Sequence, residues 1–284
     1  MNFLPSLITQ LPSARHFRTT GSSAALPLLG SEGKKLTKEA AENKQSTADR
    51  PAIIDAGPSY LVLYKPHNMH TAPLETGEGH NLLEWASLRF PEILLIHGKK
   101  PVEGGLLHRL DFETEGLVLV ARTEEAFQSF SAQQEAGLFL KEYEALSTRR
   151  RHCLSGFPPP PIPFELLCEQ AKHLSANSSP LVIIESGFRA YGPGRKSVRP
   201  VPDAGKNYTS QLVSIKDEGA ALRFRIRLQK GFRHQIRCHL AWIGFPILND
   251  SRYGGLSDGG ALALKAVSIQ FADPRSGAIK EYCI

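Results

Sequence analysis

Cysteine is scarce in this chain, and its spacing excludes a disulfide scaffold. Only four cysteines occur among 284 residues, and none of them forms a C-x-x-C pair, the spacing that typically binds structural zinc. Sparse cysteines of this kind indicate a reducing, intracellular setting, so we expect a cytoplasmic protein. The four are Cys153, Cys168, Cys238 and Cys283.

Long apolar runs and several catalytic motifs are also missing. No run approaches the roughly 20 apolar residues of a membrane span, so we expect no membrane partner. The chain lacks the H-E-x-x-H pattern of zinc proteases and the G-x-S-x-G elbow of serine hydrolases. His108, His234 and His239 do not form a tight ligand set, and we therefore predict no metal site.

The N-terminal segment contains no acidic residue before Glu32. Apolar residues between Phe3 and Leu11 fall at helical spacing and two arginines follow, a pattern typical of organelle transit peptides. Pro5 and Pro12 interrupt such a helix. The alternative is a disordered extension, so an organelle remains the alternative to a cytoplasmic location.

The domain organisation follows from composition. The stretch GSEGKKLTKEAAENKQSTADR is polar and poor in aromatics, which disfavours a packed core. We expect residues 1–52 to be a disordered N-terminal extension and residues 53–284 to be the folded domain. Four consecutive prolines in RRRHCLSGFPPPPIPF favour polyproline II. We interpret the region 150–180 as a Pro-rich surface insertion, with a peptide-recognition segment as the alternative.

The charge balance favours an anionic partner. Lys and Arg number 34 against 28 Asp and Glu, which gives a formal net charge of +6. Nucleic acid is the commonest soluble polyanion that such a surface binds. The alternative is a mild basicity without a specific role.

Hydrophobic periodicity predicts more strands than helices. Alternating or continuous apolar runs predict strands at 59–66, 117–122, 141–149, 181–186, 208–215 and 221–228. Helical spacing predicts helices at 81–90, 123–137 and 232–243. Runs of this kind, joined by short connections, indicate an α+β fold with a mixed, mainly antiparallel sheet and flanking helices and loops.

Two arginine-rich features have open interpretations. GFRAYGPGRKSVRPV (187–201) is predicted to be a loop that either contacts phosphate or is simply solvated. In the strand 221–228, Arg223, Arg225 and Arg227 project from one face. This arginine stripe fits either a phosphate-contacting surface or an ordinary solvated face.

Asp111 is the leading candidate for a catalytic carboxylate. It follows His108, Arg109 and Leu110 directly and precedes an apolar strand, the setting in which a reactive carboxylate is usually presented. Arg237, on the helix predicted at 232–243, would hold it bidentately and keep it ionised. The alternative is a purely structural ion pair.

Four motifs, in order, then identify a family resemblance. They are YLVLYKPHNM (60–69), HRLDFETEG (108–116), KEYEAL (141–146) and GFRHQIRCHLAWIGFPILNDSRYG (231–254). Together they resemble the motifs of the RluA-type pseudouridine synthases, which isomerise uridine to pseudouridine in RNA. The resemblance covers roughly residues 55–275. It implies the pseudouridine synthase fold, with an active-site cleft across the sheet.

The resemblance also implies roles for individual residues. Asp111 would be the nucleophile or general catalyst, Tyr143 would stack on the target base, and Arg237 would pair with Asp111. Substrate binding would fall to Arg109, His108, Lys65, Pro66, Arg233, His234 and Gln235. Because one carboxylate suffices for this isomerisation, the resemblance implies no cofactor and no metal. The expected partner is ribosomal or transfer RNA, and the expected state is a monomer.

Departures from the family motifs keep other readings open. Glu115 replaces a serine, Phe232-Arg233 replaces Arg-Thr, Asn249 replaces a glycine, and Lys265 stands where histidine is frequent. Glu115 adds negative charge near the site, which favours a catalytically idle RNA-binding protein as the alternative hypothesis. A peptide-interaction module built on the proline run is a third.

Overall fold

Ten strands and three α-helices form the regular structure of the residues that the computed structural model describes, which are 50–74, 80–148, 154–163, 167, 182–202 and 205–284. The strands are β1 (Ala52–Ala56), β2 (Tyr60–Lys65), β3 (Glu115–Ala121), β4 (Leu140–Ser147), β5 (Val182–Tyr191), β6 (Ser197–Val201), β7 (Tyr208–Asp217), β8 (Leu222–Leu228), β9 (Leu264–Ala272) and β10 (Ile279–Cys283). The α-helices are α1 (Leu82–Ser87), α2 (Glu124–Glu135) and α3 (Gln235–Trp242). Short 3-10 turns occur at Pro91–Leu94, Pro101–Glu103 and Pro193–Arg195.

All ten strands belong to one sheet, in the order β1-β2-β3-β9-β4-β8-β7-β5-β6, with β10 paired to β9. Every pairing is antiparallel except that of β3 with β9. The predicted α+β class with a mixed, mainly antiparallel sheet is therefore confirmed. In the described part of the chain, no helix is long and apolar enough to cross a membrane.

Alternating side chains of the central strands build a core on each side of the sheet. In β2, Leu61 and Leu63 point into one core while Tyr60 and Val62 point into the other. Helices α1 and α3 pack in the first core and α2 in the second. Because β2 and β3 are covered on both faces, they are apolar almost throughout, as buried central strands require.

A glycine joins the two halves of the sheet. The parallel pairing of β3 with β9 joins Glu115 to Lys265 and Gly116 to Ala266. Gly116 has φ +125°, and an added Cβ would lie 2.2 Å from the carbonyl oxygen of Ala266. Glycine alone permits both this conformation and this approach. The joint lies five residues after Asp111, so it anchors the end of the loop that carries that residue.

The arginine stripe of β8 is paired with carboxylates. Arg225 and Arg227 donate to Glu142 at 2.8 and 2.7 Å, and Arg225 also binds Glu144 at 2.9 Å. Arg223 donates to Glu218 at 2.7 Å. The β4 glutamates that bind the stripe lie opposite it in the register. These ion pairs neutralise most of the stripe, so the prediction that it contacts phosphate receives no support.

The arginine- and glycine-rich segment 187–201 is a hairpin, so the prediction of a loop was wrong. Strand β5 continues to Tyr191 and pairs with β6 from Gly187↔Val201 to Tyr191↔Ser197. Strand β6 is the last in the sheet order. An edge strand tolerates a proline such as Pro200, because its outer N–H positions need no partner.

The third helix is shorter than the predicted span 232–243. It begins at Gln235, after His234 adopts a left-handed φ of +56°. The Gln235 amide oxygen accepts the N–H of Phe232 at 2.9 Å, which holds the preceding turn. Arg233, which the predicted span placed within the helix, therefore lies outside it.

His239 docks α3 against the sheet. Its two ring nitrogens lie 2.9 and 3.0 Å from the hydroxyls of Ser210 on β7 and Ser186 on β5. Burial lowers the pKa of His239 to about 3. The imidazole is therefore neutral at neutral pH, and it uses both nitrogens as hydrogen-bonding groups.

This buried neutral histidine makes the fold acid-sensitive. The folded-state pKa lies below the ordinary 6.5, so the unfolded chain binds more protons between the two values. The contribution of His239 to the free energy of unfolding is therefore fully present above pH 6.5 and is lost as the pH falls below that value. From about pH 7 to pH 5 we expect His239 to remove about 2 kcal/mol of unfolding free energy. Urea unfolding at several pH values, for wild type and His239→Gln, isolates this effect. Parallel pH dependences for the two proteins would contradict it.

Several predictions fall outside the described residues. These are the state of residues 1–49, Cys153, Cys168 and most of the insertion around 150–180. The division into a 1–52 extension and a 53–284 domain therefore stays a prediction. Within the described part of the proline run, the Pro158 carbonyl accepts the indole N–H of Trp242 at 2.9 Å. This contact ties the run to α3 and weakens its interpretation as a peptide-recognition segment.

Candidate active site

Asp111 lies in the loop that leads into β3, and its backbone is pinned on both sides. The Thr71 hydroxyl donates to the Leu110 carbonyl at 2.9 Å and accepts the Leu110 N–H at 3.1 Å. The Thr114 N–H donates to the Asp111 carbonyl at 3.1 Å, which closes a turn. The Asp111 side chain is 23% exposed, so a fixed backbone presents a carboxylate at the surface of the core.

Lys65 supports this loop from below. Its ammonium group is fully buried and donates to the carbonyls of Pro66, Met69 and Phe112 at 2.9, 2.8 and 3.2 Å. Burial lowers the pKa of Lys65 to about 8, against the opposing charge of Asp111. Lys65 and Pro66 were predicted to bind substrate, and because both are buried, any such role is indirect.

Arg237 lies at the centre of three carboxylates. Its Nε and Nη2 bind the two oxygens of Asp250 at 2.8 and 2.9 Å. Its Nη1 lies 3.2 Å from Glu113 and 3.7 Å from Asp111. The predicted pairing with Asp111 exists, but the bidentate partner is Asp250. The reason is geometric, because the planar guanidinium presents its Nε–Nη2 edge to Asp250 and leaves one nitrogen for the other two.

The charges around Asp111 pull its pKa in opposite directions. Burial raises the pKa above its ordinary value, Arg237 lowers it, and Glu113 and Asp250 raise it again. The net shift is upward, because burial outweighs the lowering by Arg237 that the sequence had suggested. Asp111 is therefore a stronger base than an exposed aspartate, as a group that attacks carbon or exchanges protons requires.

Arg237 itself stays charged. Burial opposes the charged guanidinium, but hydrogen bonds and charge from Asp250, with Asp111 and Glu113, outweigh it and raise the pKa. The side chain is only 2% exposed. A buried cation with this many partners holds their positions firmly.

Tyr143 lies close to Asp111 on strand β4. Its side chain is buried, at 7% exposure, in the core shared with Leu110. Burial raises the pKa of Tyr143, and the negative charge of Asp111 raises it further. The phenol is therefore neutral, and its aromatic ring stands near the carboxylate as the resemblance implies.

His234 approaches Asp111 from the start of α3. Its Nε2 lies 4.0 Å from Asp111 and its Nδ1 lies 3.2 Å from the Tyr253 hydroxyl. Burial, followed by the charges of Arg237 and Arg233, lowers the pKa of His234 to about 4. A neutral imidazole therefore lines the site, consistent with its predicted place in substrate binding.

Four other predicted substrate-binding residues contact groups other than Asp111. His108 packs on Phe139 with ring centroids 5.5 Å apart and accepts the Leu119 N–H at 3.3 Å. Burial lowers its pKa well below the usual range. Its side chain faces the second core, which corrects its assignment to the substrate. The others are Arg109, which binds Glu103 at 3.0 Å; Gln235, which binds Thr209 and Ser210 of β7; and exposed Arg233, which donates to the Arg195 carbonyl at 3.1 Å.

The sequence interpretation missed Asp250, Glu113 and Arg252. Asp250 is fully buried and also accepts the N–H groups of Arg252 and Tyr253 at 3.1 and 3.3 Å. Arg252 lies 3.5 Å from Glu113. A usable signal was present, because an acid inside an apolar stretch such as FPILND needs a cation when it is buried. Across the described residues, no cluster of three or more His, Cys, Asp or Glu side chains could hold a metal ion.

Comparison with known proteins decides the family. The model of the family described as RNA pseudouridylate synthase matches residues 59–242, which include Asp111, Tyr143 and Arg237. The chain belongs to the RNA pseudouridylate synthase family. The resemblance found in its four motifs is thereby confirmed.

This pseudouridylate synthase family member is similar to bacterial pseudouridine synthases. It is 28% identical to ribosomal large subunit pseudouridine synthase D of Pseudomonas aeruginosa over 200 residues, which are 69% of this chain and 51% of the relative. It is 27% identical over 221 residues to an uncharacterized RNA pseudouridine synthase of Chloroflexus aurantiacus, covering 77% and 60% of the two chains. The chain thus spans about half the length of the curated relatives it matches.

A solved structure supports the fold of this family member. Human RNA pseudouridylate synthase domain containing 1 superposes with a TM-score of 0.55 at 20% identity, over 84% of each chain. Human RNA pseudouridylate synthase domain containing 4 superposes with a TM-score of 0.51 at 16% identity. At these identities the likeness concerns the fold alone.

Glu115, the departure that follows Asp111 four residues later in the sequence, is paired with two side chains. Its carboxylate accepts the Tyr64 hydroxyl and lies 3.4 Å from Nε2 of His67. Burial raises the pKa of Glu115, but hydrogen bonds from His67 and Tyr64 outweigh it, so the net shift is downward. The same pair raises the pKa of His67. The extra negative charge in this family member is thus largely compensated within its own cluster.

Proposed function

We propose that this chain is an RNA pseudouridine synthase, an isomerase that converts specific uridines in ribosomal or transfer RNA without a cofactor. The observation that carries the proposal is the half-buried Asp111 carboxylate, 3.7 Å from a buried arginine and beside a buried tyrosine. Family membership supports the same reaction.

The reaction needs a single well-placed carboxylate. The bond between N1 of uracil and C1′ of ribose breaks, the uracil turns, and a bond forms between C5 and C1′. The hydrogen on C5 leaves as a proton and N1 gains one, so atoms balance without oxidant, reductant or energy source. Asp111 would act as the nucleophile or the general catalyst. Its raised pKa suits either role.

The remaining residues would position the base and the carboxylate. A uridine in structured RNA must leave its stack to reach Asp111, and the Tyr143 ring would then lie against it. Arg237, fixed by Asp250, would orient Asp111 through its third nitrogen. The neutral His234 would line the wall of the pocket.

Ribosomal RNA is the first substrate to test. The relative from Pseudomonas aeruginosa is named as a ribosomal large subunit enzyme, and the net charge of +6 favours an anionic partner. Transfer RNA is the second. A cytoplasmic location and a monomeric state remain predictions from the sequence, with an organelle as the alternative.

Site-resolved pseudouridine mapping tests the proposed function. RNA from cells lacking the gene is compared with RNA from the same cells carrying wild type or Asp111→Asn. We expect one or a few sites to disappear on deletion and to return with wild type only. Sites that return equally with Asp111→Asn would overturn the assigned role of Asp111.

The rate should depend on pH through Asp111. An ionised carboxylate is needed, and its folded-state pKa lies above the ordinary 3.8, so activity is lost as the pH falls through that raised value. Glu113 contributes to the increase, and we therefore expect Glu113→Gln to move the acid limb to lower pH. Single-turnover rates across mildly acidic pH measure this. An acid limb that stays in place in Glu113→Gln would contradict the electrostatic account.

A catalytically idle RNA-binding protein is the alternative that Glu115 had suggested. The contacts of Glu115 with His67 and Tyr64 give that alternative no specific support. Mapping that finds no lost site, together with intact RNA binding, would favour it.

A further inference from the structure

An aromatic stack begins in the core and ends in solvent beside the active site. Phe188 of β5 lies between buried His239, with ring centroids 5.0 Å apart, and Phe232, 4.9 Å away and tilted by only 7°. Tyr208 of β7 lies 4.9 Å from Phe232 and 5.9 Å from Phe188. His239 is fully buried whereas Phe232 is 36% exposed. We call Phe188, Tyr208 and Phe232 the aromatic platform.

The platform is held rigidly. The Phe232 N–H donates to the Gln235 amide, which in turn donates to the Thr209 carbonyl and the Ser210 hydroxyl of β7. The Phe188 ring stacks on His239, which is held in place by hydrogen bonds with Ser186 and Ser210. An exposed phenylalanine on so firm a support loses little conformational freedom when a planar ligand stacks on it.

Two cations flank the platform. Lys206 lies over the Tyr208 ring with its Nζ 5.4 Å from the centroid. Arg233 follows Phe232 directly in the chain and is exposed. Within the described ranges, no carboxylate forms a salt bridge with Lys206 or Arg233. In this respect they differ from the neutralised arginines of β8.

The platform is close to the catalytic carboxylate. His234, two residues after Phe232, brings its Nε2 to 4.0 Å from Asp111. The Cα atoms of Phe232 and His234 lie at most about 7 Å apart. An RNA strand that delivers a base to Asp111 therefore has its neighbouring nucleotides within reach of the platform.

We propose that the aromatic platform binds an unpaired nucleobase that flanks the target uridine, with Lys206 and Arg233 on the adjoining phosphates. This inference rests on the proposed function and adds a substrate requirement, namely a single-stranded flank. Stacking on an exposed ring with cations at its rim is how proteins bind single-stranded RNA without reading its sequence.

Binding of two matched oligomers to the full-length chain tests the proposal. One is a fluorescein-labelled oligouridylate of about twelve nucleotides, and the other has the same phosphates but abasic spacers in place of its bases. We expect Phe232→Leu to weaken oligouridylate binding by about tenfold and to leave abasic binding within about twofold. Phe232→Trp should restore most of the loss. Ile279→Ala, which removes an exposed apolar side chain on β10, is the control and should match wild type.

A second measurement needs no variant and guards against a folding defect. Oligouridylate containing 4-thiouridine is photocrosslinked to wild type, and the modified peptides are identified by mass spectrometry. Crosslinks at Phe232 or Tyr208 support the proposal, and crosslinks confined to other surfaces overturn it. Equal weakening of the binding of both oligomers by Phe232→Leu would also overturn it. A Phe232→Leu variant that keeps its RNA affinity but loses self-association in sedimentation would overturn it too, because the platform would then be a contact between two copies of the chain.

The outcome is separable from that of the proposed function. Isomerisation by wild type combined with unchanged oligouridylate binding by Phe232→Leu would reject the platform alone. Absence of isomerisation combined with base-dependent loss in Phe232→Leu would reject the synthase activity and keep the platform as an RNA-binding site.

Discussion

Asp111→Asn is expected to lower the single-turnover rate by on the order of 10³-fold or more, because amide replaces the only carboxylate proposed to act on the ribose–uracil bond. RNA affinity should change little, since the substitution keeps the shape of the side chain. Rates and affinities measured on the same purified proteins check both statements. A rate within about tenfold of wild type would contradict the assigned role.

The same substitution should not weaken the fold. A raised pKa in the folded state means that folding disfavours the ionised form of Asp111, so removal of the charge at neutral pH relieves repulsion from Glu113 and Asp250. Arg237 keeps both of those partners. We expect the unfolding midpoint of Asp111→Asn to equal or exceed that of wild type. Such a gain in stability with loss of activity is typical of active-site residues.

Asp250→Ala is expected to have the largest effect on stability. It removes the bidentate partner of an arginine that is 2% exposed, and loss of one member of a buried ion pair costs about 3–5 kcal/mol. Two N–H groups of the turn that follows also lose their acceptor. Because Glu113 and Asp111 still compensate Arg237, we expect a value near the lower limit, about 3 kcal/mol.

Thermal and urea unfolding measure this loss, and Asp258→Ala is the matched control. Asp258 is an exposed aspartate eight residues further along that accepts hydrogen bonds from Asn249 and Gly260. Its removal should cost less than about 1 kcal/mol. Activity of Asp250→Ala should also fall at temperatures where it is folded, because Arg237 no longer holds a fixed orientation. Equal unfolding curves for the two variants would contradict the central position of Asp250.

The pattern of apolar residues predicted most of the strands of the sheet, because the alternation of buried and exposed side chains along a strand is visible in the sequence. Strands β4 and β8 show period two along their whole length, and the bounds of each agree with prediction to within about two residues. Strands β1, β6, β9 and β10 were missed. In the case of β6, Gly194 and Pro200 are read as loop residues unless the strand is known to lie at a sheet edge. Edge position is a tertiary property that no local window contains.

The site was predicted in part for a similar reason. Asp111, Tyr143 and Arg237 do come together, as the motifs implied. The choice of Asp250 as the bidentate partner of Arg237 was not foreseeable from spacing, because three carboxylates compete for one guanidinium and only the fold decides the geometry. His108 illustrates the converse, since proximity in sequence to Asp111 does not prevent its ring from packing in the opposite core.

Release of tritium from RNA labelled at C5 of uridine tests the central claim most directly, because in this isomerisation C5 loses its hydrogen when it becomes bonded to C1′ of the ribose. Purified wild-type chain is incubated with labelled ribosomal RNA transcripts and, separately, with labelled transfer RNA, without added cofactor. We expect tritium to be released into water in step with the pseudouridine found by nucleoside mass spectrometry, and no release with Asp111→Asn. RNA that is bound by wild type but releases no tritium from either class would contradict it.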